Sequence, residues 1–200
     1  MKRKIIKLQS QVNMETIYGN FDIATFTTSP EDLMPHIVLY TDRKKWSKDL
    51  PVRIHSECMT GDLFGSKRCE CGEQLQQSLK FIQEQSGILI YLRQEGRGIG
   101  IINKLKAYCL QDEGYDTAEA NKILGFEEDQ RQYNDAINIL EYFKVERIRL
   151  LTNNPNKLDF FDDKKINVLE RIPLESNPNE TNYNYLKTKK DHFGHFLTKL

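Results

Sequence analysis

A chain of 200 residues is long enough to bury a substantial core, and one domain spanning residues 1–200 is the expectation. Hydrophobic residues at 38 % and charged residues at 29 % exclude a disordered chain. A formal net charge of +0 removes any global electrostatic reason to expect nucleic acid or a membrane surface as partner, so an anionic ligand has to be met by a local site.

The first ten residues are basic but run into an alternating stretch without the apolar centre of a signal peptide, and no apolar run reaches the length of a membrane span. A cytoplasmic location is therefore expected. Alternating or β-branched stretches predict strands at 5–12, 19–27, 36–41 and 51–57. Next comes a helical pattern over 74–85, with Leu75, Leu79 and Ile82 on one stripe. A strand at 87–93 leads into a helix over 101–111, where Ile102, Leu105 and Cys109 repeat the spacing. Helix 129–143, strand 147–152, helix 155–164 opened by Pro155, and strand 167–173 follow. A polar loop over 175–184 ends in a terminal helix over 183–200. Antiparallel-type strands first and strand–helix alternation later predict an α/β (mixed α+β) fold: a mixed, partly antiparallel sheet flanked by helices, with a C-terminal helix.

Three of the four cysteines, Cys58, Cys69 and Cys71, fall within fourteen residues. In a reducing compartment clustered thiols point to metal binding or catalysis more than to disulfides. Thiolates are soft ligands that suit zinc, and two separated by one residue reach the same ion from a tight turn. Structural zinc sites close with four protein ligands, whereas a catalytic zinc keeps three and lowers the pKa of water at the open position to about 7. The plain alternatives are three ordinary buried cysteines, or a closed site completed by His55. Cys109, on an apolar helical stripe, reads as core. His55, Ser56 and Glu57 also spell the H-x-E element of zinc nucleobase deaminases, but Cys69-x-Cys71 lacks that signature's proline and spacing.

Two loops are suited to anions. Arg93-Gln-Glu-Gly96-Arg97-Gly98-Ile-Gly100 follows a strand and opens a helix, so its backbone N–H groups can approach phosphate. It matches neither the dinucleotide fingerprint nor a P-loop, and a simple glycine turn is the alternative. Thr152-Asn-Asn-Pro155-Asn-Lys157 repeats the design with a lysine in the first helical turn, where the helix dipole disfavours a cation. An anion between helix end and lysine reconciles the two; a solvated lysine is the alternative.

Taken together, Arg53-Ile-His-Ser-Glu-Cys58-Met-Thr-Gly-Asp62, Arg68-Cys69-Glu-Cys71-Gly72, Arg93-Gln-Glu-Gly-Arg97, Leu110-Gln-Asp-Glu-Gly-Tyr-Asp-Thr117 and Leu151-Thr-Asn-Asn-Pro155 closely resemble GTP cyclohydrolase II, in order and spacing, over nearly the whole chain after about Pro51. The resemblance implies hydrolytic opening of the guanine imidazole ring of GTP, with release of formate and pyrophosphate, as the first step of riboflavin synthesis. It implies Zn²⁺, one per subunit, on Cys58, Cys69 and Cys71, and Mg²⁺ with the triphosphate. Positions matching GTP contacts are Arg53, Ile54, His55, Ser56, Glu57, Gln74, Glu95, Gly96, Arg97, Thr117, Thr152 and Lys157. Asp129 matches the proton acceptor, Arg131 the nucleophile and Tyr108 the tyrosine beside the opening ring. Departures from the family pattern fall at Gly98, Gln130 and Asn156, none of them a matched ligand or catalytic position.

The implied partners are GTP and a second copy of the chain, with no nucleic acid and no membrane. No domain for the ribulose phosphate branch of the pathway fits in this chain, which reads as monofunctional. A guanidinium, with a pKa above about 12, has essentially no lone pair to offer, so a cationic clamp stands beside the nucleophile role for Arg131. Two other functions remain distinguishable: a zinc nucleotide deaminase, which would release ammonia instead of formate, and a noncatalytic zinc-stabilised nucleotide-binding protein, which would leave GTP unconsumed.

Overall fold

The computed structural model describes residues 5–127 and 129–200. Seven strands form one sheet: β1 (Lys7–Thr16), β2 (Gly19–Thr27), β3 (His36–Tyr40), β4 (Leu50–Ser56), β5 (Ile88–Leu92), β6 (Arg147–Leu151) and β7 (Asn167–Ile172), in the order β1-β2-β3-β5-β4-β6-β7. The first three make an antiparallel meander, β3 runs antiparallel to β5, and β5, β4, β6 and β7 are mutually parallel. The expected mixed sheet is present, and all seven expected strands occur within a few residues of their predicted bounds.

Strand periodicity sorts the side chains between two faces. Val52, Ile54, Ile88, Ile90 and Leu92 join Phe26, Tyr40 and Phe143 in the larger core, covered by Ala136, Ile139 and Leu140 of α5 (Asn134–Tyr142). On the other face Leu89 meets Phe21 and, from α2 (Cys71–Gln85), Leu79 and Ile82. Central strands covered on both sides need near-continuous apolar sequence, and Leu50–Ser56 is buried almost throughout. Its two charged or titratable residues, Arg53 and His55, are buried as well and share the α2 face, in register with Leu89 and Tyr91.

The remaining helices are α1 (Met59–Asp62), α3 (Gly100–Asp112), α4 (Thr117–Ile123), α6 (Pro155–Asp159) and α7 (Tyr183–Asp191). Four expectations are corrected. The helix expected from 129 begins at Asn134, because the Asp129 carboxylate accepts from its own loop at Arg131 N (3.0 Å). Pro155 and the Asn154 side chain, which accepts from Asn156 N at 2.9 Å, start α6 as expected, but it ends at Asp159 in a series of turns. α7 ends at Asp191, and Gly194, at φ 63°, turns the chain back. In α3 the stripe of Ile102, Leu105 and Cys109 faces outward, while Lys104 and Ala107 are buried. Cys109 is exposed and not part of the core. Among the described residues no helix is long and apolar enough to cross a membrane.

Candidate active site

Parallel pairing of β4, β5 and β6 brings the loops that follow them to one edge of the sheet, the usual place for a site in an α/β fold. They line a cavity of about 880 Å³.

The loop after β4 carries Cys58, and the start of α2 carries Cys69 and Cys71. Their sulfurs lie within 4.8 Å of one another, with Cys58 Sγ and Cys69 Sγ 3.7 Å apart. Tetrahedral zinc with bonds of about 2.3 Å sets its sulfurs about 3.8 Å apart, so the donor set and its spacing fit zinc. Hydrogen bonds from Cys69 and Cys71, helped by Lys104, hold the Cys58 thiol far below the usual thiol range. The bond to Cys58 pushes Cys69 up to about 11, and Cys71 rises likewise. A divalent ion would bind all three as thiolates, so its binding would release protons.

Close approach of α1 to α2 builds this cluster. A Cβ on Gly72 would collide with the Gly61 carbonyl oxygen, and one on Gly61 would lie 3.0 Å from Cys69 Sγ and 3.3 Å from Cys58 Sγ. Alanine in a helix normally gains about 0.5–1 kcal/mol over glycine. Gly72→Ala is nevertheless expected to weaken zinc binding at least about tenfold, in a chelator competition, because the two backbones must separate. An unchanged affinity would show that the loop can relax.

Asp62 organises the loop from within the fold. Its carboxylate accepts from His55 Nε2 (3.1 Å), Tyr91 OH (2.8 Å) and the Cys58 backbone N–H (3.0 Å). His55 stacks on Tyr91, with ring centroids 5.4 Å apart, and its Nδ1 faces Arg53 Nη2 at 3.3 Å. Burial lowers the His55 pKa, so the ring is neutral, with Nδ1 accepting and Nε2–H donating. Both nitrogens are engaged, and His55 does not close the thiol cluster as a fourth ligand. Arg53 is buried too; it donates to Leu151 O (3.0 Å) and Gln74 Oε1 (3.1 Å), tying β4 to β6 and α2. Ile54 points into the core, and its carbonyl accepts from Lys157 Nζ at 2.7 Å.

After β5 the chain makes a single turn of 3₁₀ helix, in which Gly96 (φ 62°) and Arg97 (φ 59°) are both left-handed. For arginine this conformation is rare and strained, a mark of functional turns. Glu95 accepts from Met59 N (2.5 Å), Gly96 N (2.7 Å) and Lys104 Nζ (2.8 Å), clamping the thiol loop to this turn. Lys104 Nζ also reaches Cys58 Sγ (3.1 Å) and Thr60 Oγ1 (2.9 Å). One turn further along α3, Tyr108 lies with the Arg68 guanidinium 4.9 Å from its ring centre, and burial pushes its phenol up to about 12. Glu57, raised by burial, pairs with Arg93 at 3.2 Å, and Ser56 Oγ accepts from Gln94 Nε2 at 2.9 Å.

The phosphate-suited elements meet on the same cavity. Thr117 opens α4 beside its cap Asp116, Thr152 comes from the loop after β6 and Lys157 from α6. Lys157 is buried, not solvated; burial, then Arg53, Arg131 and Lys189, drive its ammonium well below the usual lysine range. Arg131 lines the cavity, whereas Asp129 stands behind it, accepting from Arg131 Nε at 2.8 Å and Nη2 at 2.5 Å. Burial alone would raise the Asp129 carboxyl, but these bonds outweigh it and hold it below the usual range. Arg131 is driven above its ordinary value against the opposing effect of burial. Gln130 N donates to Arg97 O (3.1 Å), joining this loop to the strained turn.

Sequence reasoning missed Asp62 as the organiser of the loop, Lys104, and a third wall formed by Tyr185, Lys189, His192 and His195 from the C-terminal segment. Lys104 and Tyr108, four residues apart on α3, were a legible pair; the last wall had no motif.

A family model described as GTP cyclohydrolase II matches residues 7–173. The chain is 49 % identical over 200 residues to riboflavin biosynthesis protein RibBA of Staphylococcus saprophyticus, an alignment covering 98 % of this chain and 50 % of that protein. It is 44 % identical over 194 residues to GTP cyclohydrolase-2 of Picrophilus torridus, covering 96 % of this chain and 100 % of the relative. With GTP cyclohydrolase-2 of Campylobacter hominis the identity is 45 % over 192 residues, covering 96 % of each. The chain thus spans about half the length of the RibBA relative and nearly all of the other two.

Proposed function

The chain belongs to the GTP cyclohydrolase II family, and on that premise we propose that it is a zinc-dependent hydrolase that opens the guanine imidazole ring of GTP, releasing formate and pyrophosphate in riboflavin synthesis. One observation carries this: three clustered thiols open onto the same cavity as Arg97, Arg131 and Lys157. Its volume of about 880 Å³ lies within the range of about 300–1,000 Å³ usual for small-molecule sites.

Cys58, Cys69 and Cys71 hold the zinc, which when bound supplies Lewis acidity and makes hydroxide accessible near neutral pH. Tyr108, protonated at neutral pH, donates to the departing ring nitrogen. Arg97, Arg131 and Lys157 offset the charge of the triphosphate, and Thr117 and Thr152 offer hydroxyls to it. Glu95 and Gly96 fix the turn between base and phosphate ends, while Arg53, His55 and Gln74 hold the cavity floor.

For Arg131 the Asp129 pair supports a clamp. Attack on phosphorus needs a deprotonated guanidine, and the carboxylate that would take the proton instead stabilises the cation. Asp129 in this role positions Arg131. Among the described residues only the thiol cluster groups three or more metal-ligating side chains, so Mg²⁺ in this reading arrives with the nucleotide. A homodimer in the cytoplasm belongs to the same proposal.

Purified zinc-loaded protein incubated with GTP, with and without chelator, tests the function by mass analysis of products. Formate, pyrophosphate and a diaminopyrimidine ribotide are expected, all suppressed by the chelator. Ammonia without formate would replace the reading with a deaminase, and unconsumed GTP with a noncatalytic binding protein.

A further inference from the structure

The family match ends at residue 173, yet the cavity is finished by residues beyond it. After β7 the chain is fastened at Leu174, whose carbonyl accepts from Asn153 Nδ2 (2.7 Å) and Gln74 Nε2 (3.1 Å). α7 then lines the cavity with Tyr185, Thr188 and Lys189. Its Lys189 Nζ lies 2.5 Å from Oε1 of Glu70, the buried residue between Cys69 and Cys71. Beyond Gly194 the chain doubles back, with His195 N donating to Lys189 O (3.0 Å) and Phe196 N to Asn153 O (2.9 Å). The Arg97 guanidinium sits 4.5 Å from the Phe193 ring centre, so the tail rests on the strained turn itself.

This arrangement gathers basic side chains from four places: Arg97 after β5, Arg131 before α5, Lys157 on α6, whose charge burial and its neighbours oppose, and Lys189 on α7. All line the cavity, and His195 stands among them. Burial, then Lys189, Arg131, Arg97 and Lys157, drive the His195 ring down to about 2, so its charging awaits a compensating anion. Of the cations, Arg131 is paired with Asp129 and Lys189 with Glu70. An ammonium has three donors; Lys189 gives one to Glu70, and its Nζ faces the Tyr185 ring centre at 4.8 Å. Only Leu186 and Leu197 anchor the segment by deep apolar burial, so it opens at lower free energy than the sheet.

We propose that residues 183–197 form a closing segment of the substrate pocket, in which Lys189 and His195 bind the outer phosphates of the nucleotide. The inference rests on the GTP reading above. Closure carries two donors to the triphosphate and shuts solvent out of the cavity, while opening admits substrate past the weakly anchored tail.

Lys189→Ala and His195→Ala in the full-length, zinc-loaded protein test it by steady-state kinetics, with inorganic pyrophosphate and GMP as competitive inhibitors. A charge-assisted hydrogen bond is worth at least about a tenfold change in affinity, the equivalent of about 1.4 kcal/mol. Each variant should raise the KM for GTP about tenfold, leave kcat within about twofold, and weaken pyrophosphate inhibition in step with KM. GMP inhibition should stay within about twofold. Lys189→Arg, which keeps the charge, should recover most of the loss. Lys189→Ala disturbs Glu70 and thus the thiol loop, so zinc content is measured alongside; His195→Ala leaves that contact alone and decides the matter if zinc is lost. An unchanged KM in His195→Ala overturns the proposal, and so does GMP inhibition weakening as much as pyrophosphate inhibition. Wild-type protein that neither consumes nor binds GTP brings down the parent reading and this one together, a result separate from either.

Discussion

Cys58→Ser is expected to lose its zinc and, with it, formate release by at least about a thousandfold. Cys58 Sγ lies 3.7 Å from Cys69 Sγ and accepts from Lys104 Nζ, contacts that hold its thiol below the usual range. Serine at this position offers a hydroxyl that stays protonated and a smaller atom that cannot span the cluster. The sheet should survive, because Cys58 lies beyond the end of β4 and its backbone N–H keeps Asp62 as acceptor. Circular dichroism, zinc analysis and a formate assay measure the three quantities together. Cys109→Ser, at an exposed position on the outer face of α3, is the matched control and should change none of them. Stoichiometric zinc with full formate production in Cys58→Ser would defeat the ligand assignment.

Arg131→Ala is expected to lower pyrophosphate release by about a thousandfold or more, the scale on which a transferring phosphoryl group depends on its arginine. The variant also leaves Asp129 without the partner that holds its charge, so an anion then faces an anionic substrate. Arg131→Lys restores charge without the planar fork and should recover only part of the rate. Mass spectrometry of acid-quenched wild-type reactions separates the roles of Arg131. The clamp predicts no guanylyl adduct on the protein. An adduct at Arg131 that forms and decays at the turnover rate would make it the nucleophile.

Much of the fold was legible because strands and their two faces follow from a period of two, and Val52, Ile54, Ile88 and Ile90 declare the core without any tertiary information. Helix faces were harder. In α3 the spacing of Ile102, Leu105 and Cys109 suits an inward stripe, yet the inward side of this helix borders a cavity that needs Lys104 and Tyr108, and the apolar side turns out. A periodicity shows that a helix has two sides, not which one meets protein.

Boundaries were missed where side chains satisfy the backbone locally. The Asp129 carboxylate and Arg131 N–H end the coil before α5, although Tyr133, Ala136, Ile137 and Leu140 already marked the true start. The capping box of Asp116 and Glu119 announced α4, a helix the sequence reading did not assign. The thiols were visible because three ligands fall within one short stretch. Asp62 was not, because its partners His55, Tyr91 and Cys58 come from separate elements and only the parallel register of β4 and β5 brings them together.

The contact of Gly61 with Gly72 also bears on when each half of the pocket comes into existence. Its two residues lie eleven apart, so the thiol loop closes across a short span, on the timescale of tens of nanoseconds for such loops. Thr152 and Lys157 reach the cavity only after β6 has docked on β4, a pairing of Val52 with Leu150 across nearly a hundred residues. A nascent chain emerging from the ribosome therefore offers a grip for zinc long before it offers one for phosphate, and metal captured at that stage would become a seed around which the later strands assemble. Pulse-labelled hydrogen exchange during refolding, with and without zinc, would register this as early protection of 58–72 that the metal alone brings forward.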